Sequence, residues 1–143
     1  MKKIQGWFLV MMALAGISCR STSGRMIAPL QENQIVWTEE ELAKPIALRT
    51  LHQTQEASYH MVRVRTAEDP HTHDGHDLVV FVMKGKIRIH FKDRFVDTKP
   101  GDVIEIGRGE IHWGENLGSE AGEAYAVFTP PFDPSDRHPA PKP

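Results

Sequence analysis

The stretch HTHDGHDLVVFVMKGKIRIHF, residues 71–91, joins a histidine-rich segment to two strand patterns. LVVFVM (78–83) is a continuous apolar run of strand length, and KIRIHF (86–91) alternates apolar with polar side chains. Lys84-Gly85 between them is a turn signal. We therefore predict two β-strands, the second of which turns its apolar residues to a core and its polar ones outward.

Similar patterns recur on both sides of this stretch. SYHMVRVR (58–65), DVIEI (102–106) and AYAVF (124–128) have strand character, and glycine or proline turns separate them. The 143 residues suit one domain, and no long helical pattern is present. The sequence therefore predicts an all-β sandwich or barrel. A helical turn is predicted to precede it, with Thr38 as N-cap and Glu41 three residues on, although a loop reading stays open.

The N-terminal residues are typical of a targeting segment. Lys2 and Lys3 precede an apolar run too short for a confident membrane span, and the single cysteine, Cys19, closes it. This indicates a signal peptide over 1–19 with lipidation at Cys19; ordinary cleavage after Ala15 is the alternative. We expect a flexible tether over 20–33, a barrel domain over 34–132 and a Pro-rich extended or disordered tail over 133–143.

Charge and localisation limit the partners. The net charge is -2 without a basic stripe, so we expect no nucleic-acid partner. We expect an exported protein, periplasmic or in the cell envelope, that meets the membrane only through its N-terminal lipid anchor. One cysteine allows no internal disulfide.

Two short segments carry potential metal ligands. His71 and His73 lie at i and i+2, so on a strand their imidazoles project to one side. Asp77 could return to the same point through a short turn, with His76 as the alternative. Two or more histidines and a carboxylate suit Fe(II), Mn(II), Ni(II) or Zn(II). Since Asp74-Gly75 is also a turn signal, a solvated loop is the competing interpretation.

The second segment, PGDVIEIGRGEIHWGEN (100–116), places His112 on a strand after two turns. The two segments together resemble the paired motifs of the cupin family over residues 34–132. In the second motif only Gly107 departs, standing where cupins usually have proline. In the first, Asp77 replaces the usual glutamate and Gly85 lies one residue too far along, a difference that a one-residue β-bulge would absorb.

The resemblance implies a cupin double-stranded β-helix, or jelly-roll, barrel with a divalent metal bound inside by His71, His73, Asp77 and His112. It makes Asn116 a structural residue. Trp113 should alternate away from His112 toward outer packing or a subunit interface, with the substrate mouth as the minority interpretation. A homodimer is expected by the same resemblance.

Three functional hypotheses follow. The first is a metal-dependent dioxygenase, isomerase or lyase acting on an oxygen-rich small molecule; the second is a non-catalytic binding or sensing module; the third is a barrel without metal. No residue stands out as a general base, although His60 could line the barrel. Because imidazole must be neutral to bind metal, affinity should fall as the pH drops toward ~6.

Overall fold

The computed structural model describes residues 35–142, which form one short helix and ten strands. The helix α1 covers Glu39–Ala43. The strands are β1 (Ile46–Gln53), β2 (Ser58–Val64), β3 (His71–His73), β4 (Asp77–Lys84), β5 (Ile87–Phe91), β6 (Phe95–Asp97), β7 (Val103–Ile106), β8 (His112–Asn116), β9 (Gly122–Thr129) and β10 (Arg137–Pro139).

The strands form two five-stranded antiparallel sheets. The order is β1-β2-β9-β4-β7 in the first sheet and β10-β3-β8-β5-β6 in the second. Apart from the hairpin pairs β1-β2 and β5-β6, neighbouring strands come from distant parts of the chain, as in a jelly roll, where the chain crosses repeatedly between sheets. The predicted all-β class is confirmed, and the two sheets have the expected jelly-roll arrangement.

Strict alternation of side chains builds the core between the sheets. In β5 the residues alternate buried and half-buried, with Ile87, Ile89 and Phe91 inside, as the sequence predicts. In β9 the inward positions include the small residues Ala124 and Ala126, which are also buried. Small side chains here leave space in the middle of the barrel, where the cavity described below lies.

The predicted helical turn is present and has the expected cap. The Thr38 hydroxyl accepts from the Glu41 N–H at 3.3 Å, and the Glu41 carboxylate accepts from the Thr38 N–H at 2.8 Å. This reciprocal pair satisfies two N–H groups that a helix start leaves free. Lys44 ends the helix in extended conformation, directly before Pro45.

A β-bulge lies where the sequence requires one. The pairing of β4 with β9 shifts register between Val82 and Lys84, so Met83 is the extra residue. Gly85 follows with φ of 76°, a left-handed conformation that glycine adopts without steric cost. The bulge absorbs the additional residue between Asp77 and Gly85, and the inward pattern of β4 is preserved before it.

The C-terminal segment differs from the prediction of an extended or disordered tail over 133–143. Residues Pro134–Asp136 form a 3₁₀ helix that Asp133 caps, and β10 then pairs with β3. Prolines do not prevent this pairing, because an edge strand needs backbone hydrogen bonds on one side only. The segment therefore belongs to the second sheet.

The predictions for 1–33, namely signal peptide, lipidation at Cys19 and tether, lie outside the described residues. No helix within 35–142 has the length and apolar character needed to cross a membrane.

Candidate metal centre

Strands β3 and β8 bring three histidines together. His71 pairs directly with His112 across the ladder, and His73 lies two residues along on the same face as His71. Ring centroids are 4.5 Å apart for His71 and His112, 5.0 Å for His71 and His73, and 5.5 Å for His73 and His112. All three side chains are buried. Residues up to 41 positions apart in sequence thus form one cluster.

The cluster has the geometry of a metal site. Each of His71, His73 and His112 offers a ring nitrogen, and the three nitrogens lie within 4.8 Å of one another. The three imidazoles could therefore hold one metal ion.

Backbone carbonyls select the tautomer of each ring. Nδ1 of His71 lies 2.9 Å from the Asp69 carbonyl oxygen, and Nδ1 of His112 lies 2.9 Å from that of Glu110. Nδ1 of His73 lies 3.3 Å from the Asp136 carbonyl oxygen. Because a carbonyl only accepts, Nδ1 of His73 and of His112 carries the proton, and Nε2 of each keeps its lone pair. In His71 the Asp69 carbonyl favours the same tautomer, and Nη2 of Arg137, which donates to that carbonyl, lies 3.2 Å from Nδ1. This second layer of hydrogen bonds is the usual support of metal-binding histidines.

Burial keeps the three rings neutral. It lowers the pKa of His71, His73 and His112 to about 4 each, and the rings lower one another's pKa further by mutual repulsion. Neutral imidazole is the form that binds metal. The sequence predicts that metal affinity falls as the pH drops toward ~6. With these lowered pKa values, protons compete for the rings of the folded protein only about two pH units lower, so we expect the fall in affinity there.

Asp77 lies outside the cluster. It opens β4 with its side chain on the opposite face from the inward Leu78, and its carboxylate binds Arg108 at 3.0 Å. About half of its side chain is exposed to solvent. The strand starts at Asp77 itself, so no turn remains to return the carboxylate to the histidines. The geometry does not support the assignment of Asp77 as a ligand.

His76, the alternative ligand to Asp77, is buried, and both of its ring nitrogens already have hydrogen-bond partners. Its Nδ1 donates to the Asp136 carboxylate, and its Nε2 lies 2.7 Å from the Pro131 carbonyl oxygen. A ring nitrogen of His76 does lie within 4.8 Å of ligand atoms of His73 and Asp136. The Asp133 N–H also donates to Nε2 at 3.2 Å. Both ring nitrogens are therefore engaged by residues 131–136, and His76 holds the C-terminal segment in place.

The histidine cluster lines a cavity of about 310 Å³ between the two sheets. Glu68 also lines it, and its carboxylate accepts from the Gly114 N–H at 3.1 Å. Burial raises the pKa of Glu68, while the Gly114 hydrogen bond and the nearby His112 and Arg137 oppose the rise. Sequence reasoning missed Glu68 because it stands between strands, three residues before His71, in no recognisable spacing.

The C-terminal segment contributes two further residues that the sequence did not reveal. Asp136 gives its carbonyl to His73, and its carboxylate accepts from the N–H of Gly75 at 2.9 Å and from His76. Arg137 lines the cavity, and its Nη2 donates at 3.3 Å to the Asp69 carbonyl that also accepts from His71. Both residues lie in a Pro-rich segment, where the sequence shows no strand pattern that would place them at the cavity.

The remaining candidates have packing roles. Asn116 donates through Nδ2 to three carbonyls, of Arg65, Gly118 and Glu120, and so holds the loop after β8. Trp113 faces away from the cluster, is buried, and stacks on His90 with ring centroids 4.4 Å apart.

His60 is also a packing residue. It is buried, with Nε2 2.7 Å from the Ser58 hydroxyl and Nδ1 3.2 Å from that of Thr50. Both ring nitrogens are thus taken, which leaves His60 no part in chemistry at the cavity.

Comparison with known proteins agrees with this architecture. The family model described as "Cupin domain" matches residues 58–128, which include all three histidines. An uncharacterised protein of Aquifex aeolicus (strain VF5) is 32% identical over 103 residues, covering 72% of this chain and 84% of that protein.

Solved structures show the same fold at low identity. KdgF from Halomonas sp. superposes with a TM-score of 0.61 at 20% identity, over 72% of this chain and 93% of that one. The cupin domain of Cnp3 from Schizosaccharomyces pombe gives 0.58 at 16% identity, over 61% and 66% of the two chains. The motifs, the fold and the family match lead to one conclusion: the chain belongs to the cupin family.

Proposed function

We propose that this protein is an exported mononuclear-metal cupin that binds a divalent transition metal and binds or transforms an oxygen-rich small molecule. The observation that carries the proposal is the convergence of three ring nitrogens, one from each buried histidine, with a backbone carbonyl beside Nδ1 of each ring. Three imidazoles around an ion leave coordination positions for water or a ligand. Fe, Mn, Ni and Zn all accept such a donor set.

The roles of the chain's own residues follow from the geometry. His71, His73 and His112 would hold the ion, which supplies Lewis-acid or oxygen-activating chemistry when bound. The wall of the cavity around the site is mostly apolar. Glu68, the acidic residue among those that line the cavity, is the group able to hold or accept a proton beside a bound ligand.

Catalysis and binding without turnover share this site. The presence of Glu68 in the cavity favours an enzyme of the dioxygenase, isomerase or lyase type. The aliphatic majority of the wall and the full occupation of His60 favour a binding or sensing module instead. Turnover of candidate substrates by the metal-loaded protein, lost in Glu68→Gln at unchanged metal content, would distinguish the enzyme from the binder.

Elemental analysis tests the metal proposal. The chain is purified without a histidine tag beside His71→Ala, His112→Ala and the control His60→Ala. Wild type and the control should carry close to one transition-metal ion per chain, and the other two variants should lose it. Equal metal content in all four proteins, or none in wild type after incubation with each metal, would refute the site.

Export is a separate part of the proposal and rests on the N-terminal sequence alone. We expect lipidation at Cys19, with a labelled fatty acid entering wild type and absent from Cys19→Ser. Label in neither protein, with a mature N-terminus after Ala15, would favour ordinary signal cleavage. A homodimer remains a prediction from the family resemblance, to be measured by light scattering.

A further inference from the structure

The cavity wall is almost entirely hydrocarbon. Outside the histidine cluster, the cavity is lined by aliphatic side chains from both sheets and by Phe128 and Phe132, with two charged residues, Glu68 and Arg137. A polyhydroxylated ligand would bury many hydroxyl groups there without partners, at a cost for each. The wall therefore selects a ligand with an apolar body and with its oxygen atoms confined to one end.

Arg137 is held in place at that end of the cavity. Its backbone pairs with His73 in the β10–β3 ladder, and Asp136 beside it is anchored to the Gly75 N–H. Farther along the same segment, the Ala140 N–H donates to the Pro70 carbonyl at 2.9 Å. These contacts fix the backbone on both sides of Arg137, and its side chain reaches the cavity from an exposed position on the edge strand.

The guanidinium has donors to spare. Nη2 donates to the Asp69 carbonyl at 3.3 Å and lies 3.2 Å from Nδ1 of His71, whereas no residue within 35–142 accepts from Nε or Nη1. Arginine presents such free N–H groups to a carboxylate in matching planar geometry. Even with Glu68 ionised, Arg137 and a divalent ion together leave the polar end of the cavity positively charged. An anionic head group is the complement of this charge.

We infer that the cavity takes a small monoanion with an apolar body, whose carboxylate or enolate lies at the end lined by Arg137 and the three imidazoles. The volume of about 310 Å³ is at the small end of ligand cavities, so the body is of the size of a single ring or short chain. This inference rests on the proposed function, and it narrows the oxygen-rich ligand to an acid of this class.

Calorimetric titration of the full, zinc-loaded chain tests the inference with three probes. Phenylacetate has the apolar body and the charge, phenylacetamide has the body alone, and gluconate has the charge on a polyhydroxylated body. Phenylacetate should bind roughly tenfold or more tighter than either of the others. Gluconate or phenylacetamide binding as tightly as phenylacetate would overturn the inference.

Two variants and one control test whether phenylacetate binds in this cavity. Arg137→Gln should reduce phenylacetate affinity to that of phenylacetamide at unchanged zinc content. Arg65→Gln should leave it unchanged, because Arg65 also donates to a carbonyl at 3.3 Å but does not line the cavity. Ala126→Leu, which keeps Arg137 and fills the cavity, should abolish phenylacetate binding. Unchanged phenylacetate affinity in Arg137→Gln and Ala126→Leu would place the ligand elsewhere.

The same titration in metal-free protein separates the two proposals. A phenylacetate preference that persists in EDTA and disappears in Arg137→Gln would support the anion site even if elemental analysis had refuted the metal centre. Zinc bound by the histidines without any phenylacetate preference would overturn the anion site alone.

Discussion

Acidification of the metal-free protein should unfold it because of the buried histidine cluster. Above pH 6.5 the rings of His71, His73 and His112 are neutral in both the folded and the unfolded chain. Below that pH the unfolded chain binds protons, whereas the folded one excludes them until the pH reaches about 4. Stability is therefore complete above pH 6.5 and is lost as the pH falls between 6.5 and about 4.

The magnitude follows from the lowered pKa values. A ring whose pKa falls from 6.5 to about 4 on folding costs about 2 kcal/mol of unfolding free energy at pH 5 relative to pH 8. Part of each shift is repulsion shared between rings, so three rings together cost about 4 to 6 kcal/mol. This is comparable with the whole stability of a small domain, about 5–15 kcal/mol. His60, whose pKa burial also lowers, acts in the same direction.

Urea unfolding in EDTA at pH 8, 6.5 and 5, followed by fluorescence of the buried Trp113, measures this dependence. His112→Gln should remove about 2 kcal/mol of the difference between pH 8 and pH 5. Saturating zinc at pH 6.5 should raise the unfolding free energy of wild type, because the metal binds only the folded cluster. An unfolding free energy in EDTA constant within about 1 kcal/mol from pH 8 to 5 would show that the rings titrate normally.

Three further predictions follow from single contacts. Asp77→Asn should retain full metal content by elemental analysis, since its carboxylate lies outside the cluster; loss of metal would restore it as a ligand. Asp136→Ala should weaken zinc affinity by about 10–100-fold in a competition titration, because it loosens the segment whose carbonyl orients a ligand ring; unchanged affinity would contradict this. Gly122→Ala should lower the unfolding free energy by about 1–3 kcal/mol, because the new Cβ would lie 2.5 Å from Cγ1 of Ile87. In the control Gly107→Ala the new Cβ meets nothing within 4 Å, so its unfolding free energy should match that of wild type. Equal unfolding free energies of the two variants would refute the steric argument.

Much of the barrel could be read from alternation along the chain. The strand patterns at 58–65, 78–83, 86–91, 102–106 and 124–128 correspond to β2, β4, β5, β7 and β9 within one or two residues. Strand β1 escaped detection because it lies at a sheet edge, with both of its faces only partly buried. Short strands β6 and β10 are held by pairing with neighbours, which local sequence does not encode.

The histidines of the site were predictable from the sequence, and their charged neighbours were not. The i, i+2 spacing places His71 and His73 on one face of any strand, and the second motif locates His112. The prediction of Asp77 as a metal ligand fails because β4 begins at Asp77, and the strand turns its carboxylate outward. Glu68 and Arg137 reach the cavity only through the folding of a loop and a C-terminal segment onto β3, over separations that periodicity does not reveal.

The strand that carries two of the three imidazoles is only three residues long, and a single pair, His71 with His112, joins it to β8. Its other edge is covered by β10. So short a ladder opens at small cost, and its amide hydrogens exchange with solvent from locally open states. Metal bound by the cluster would hold β3 and β10 closed, and amide exchange of residues 71–73 and of residues 137, 138 and 140 would slow together. The rate of amide exchange in β3 and β10 would therefore report whether the three histidines hold a metal ion.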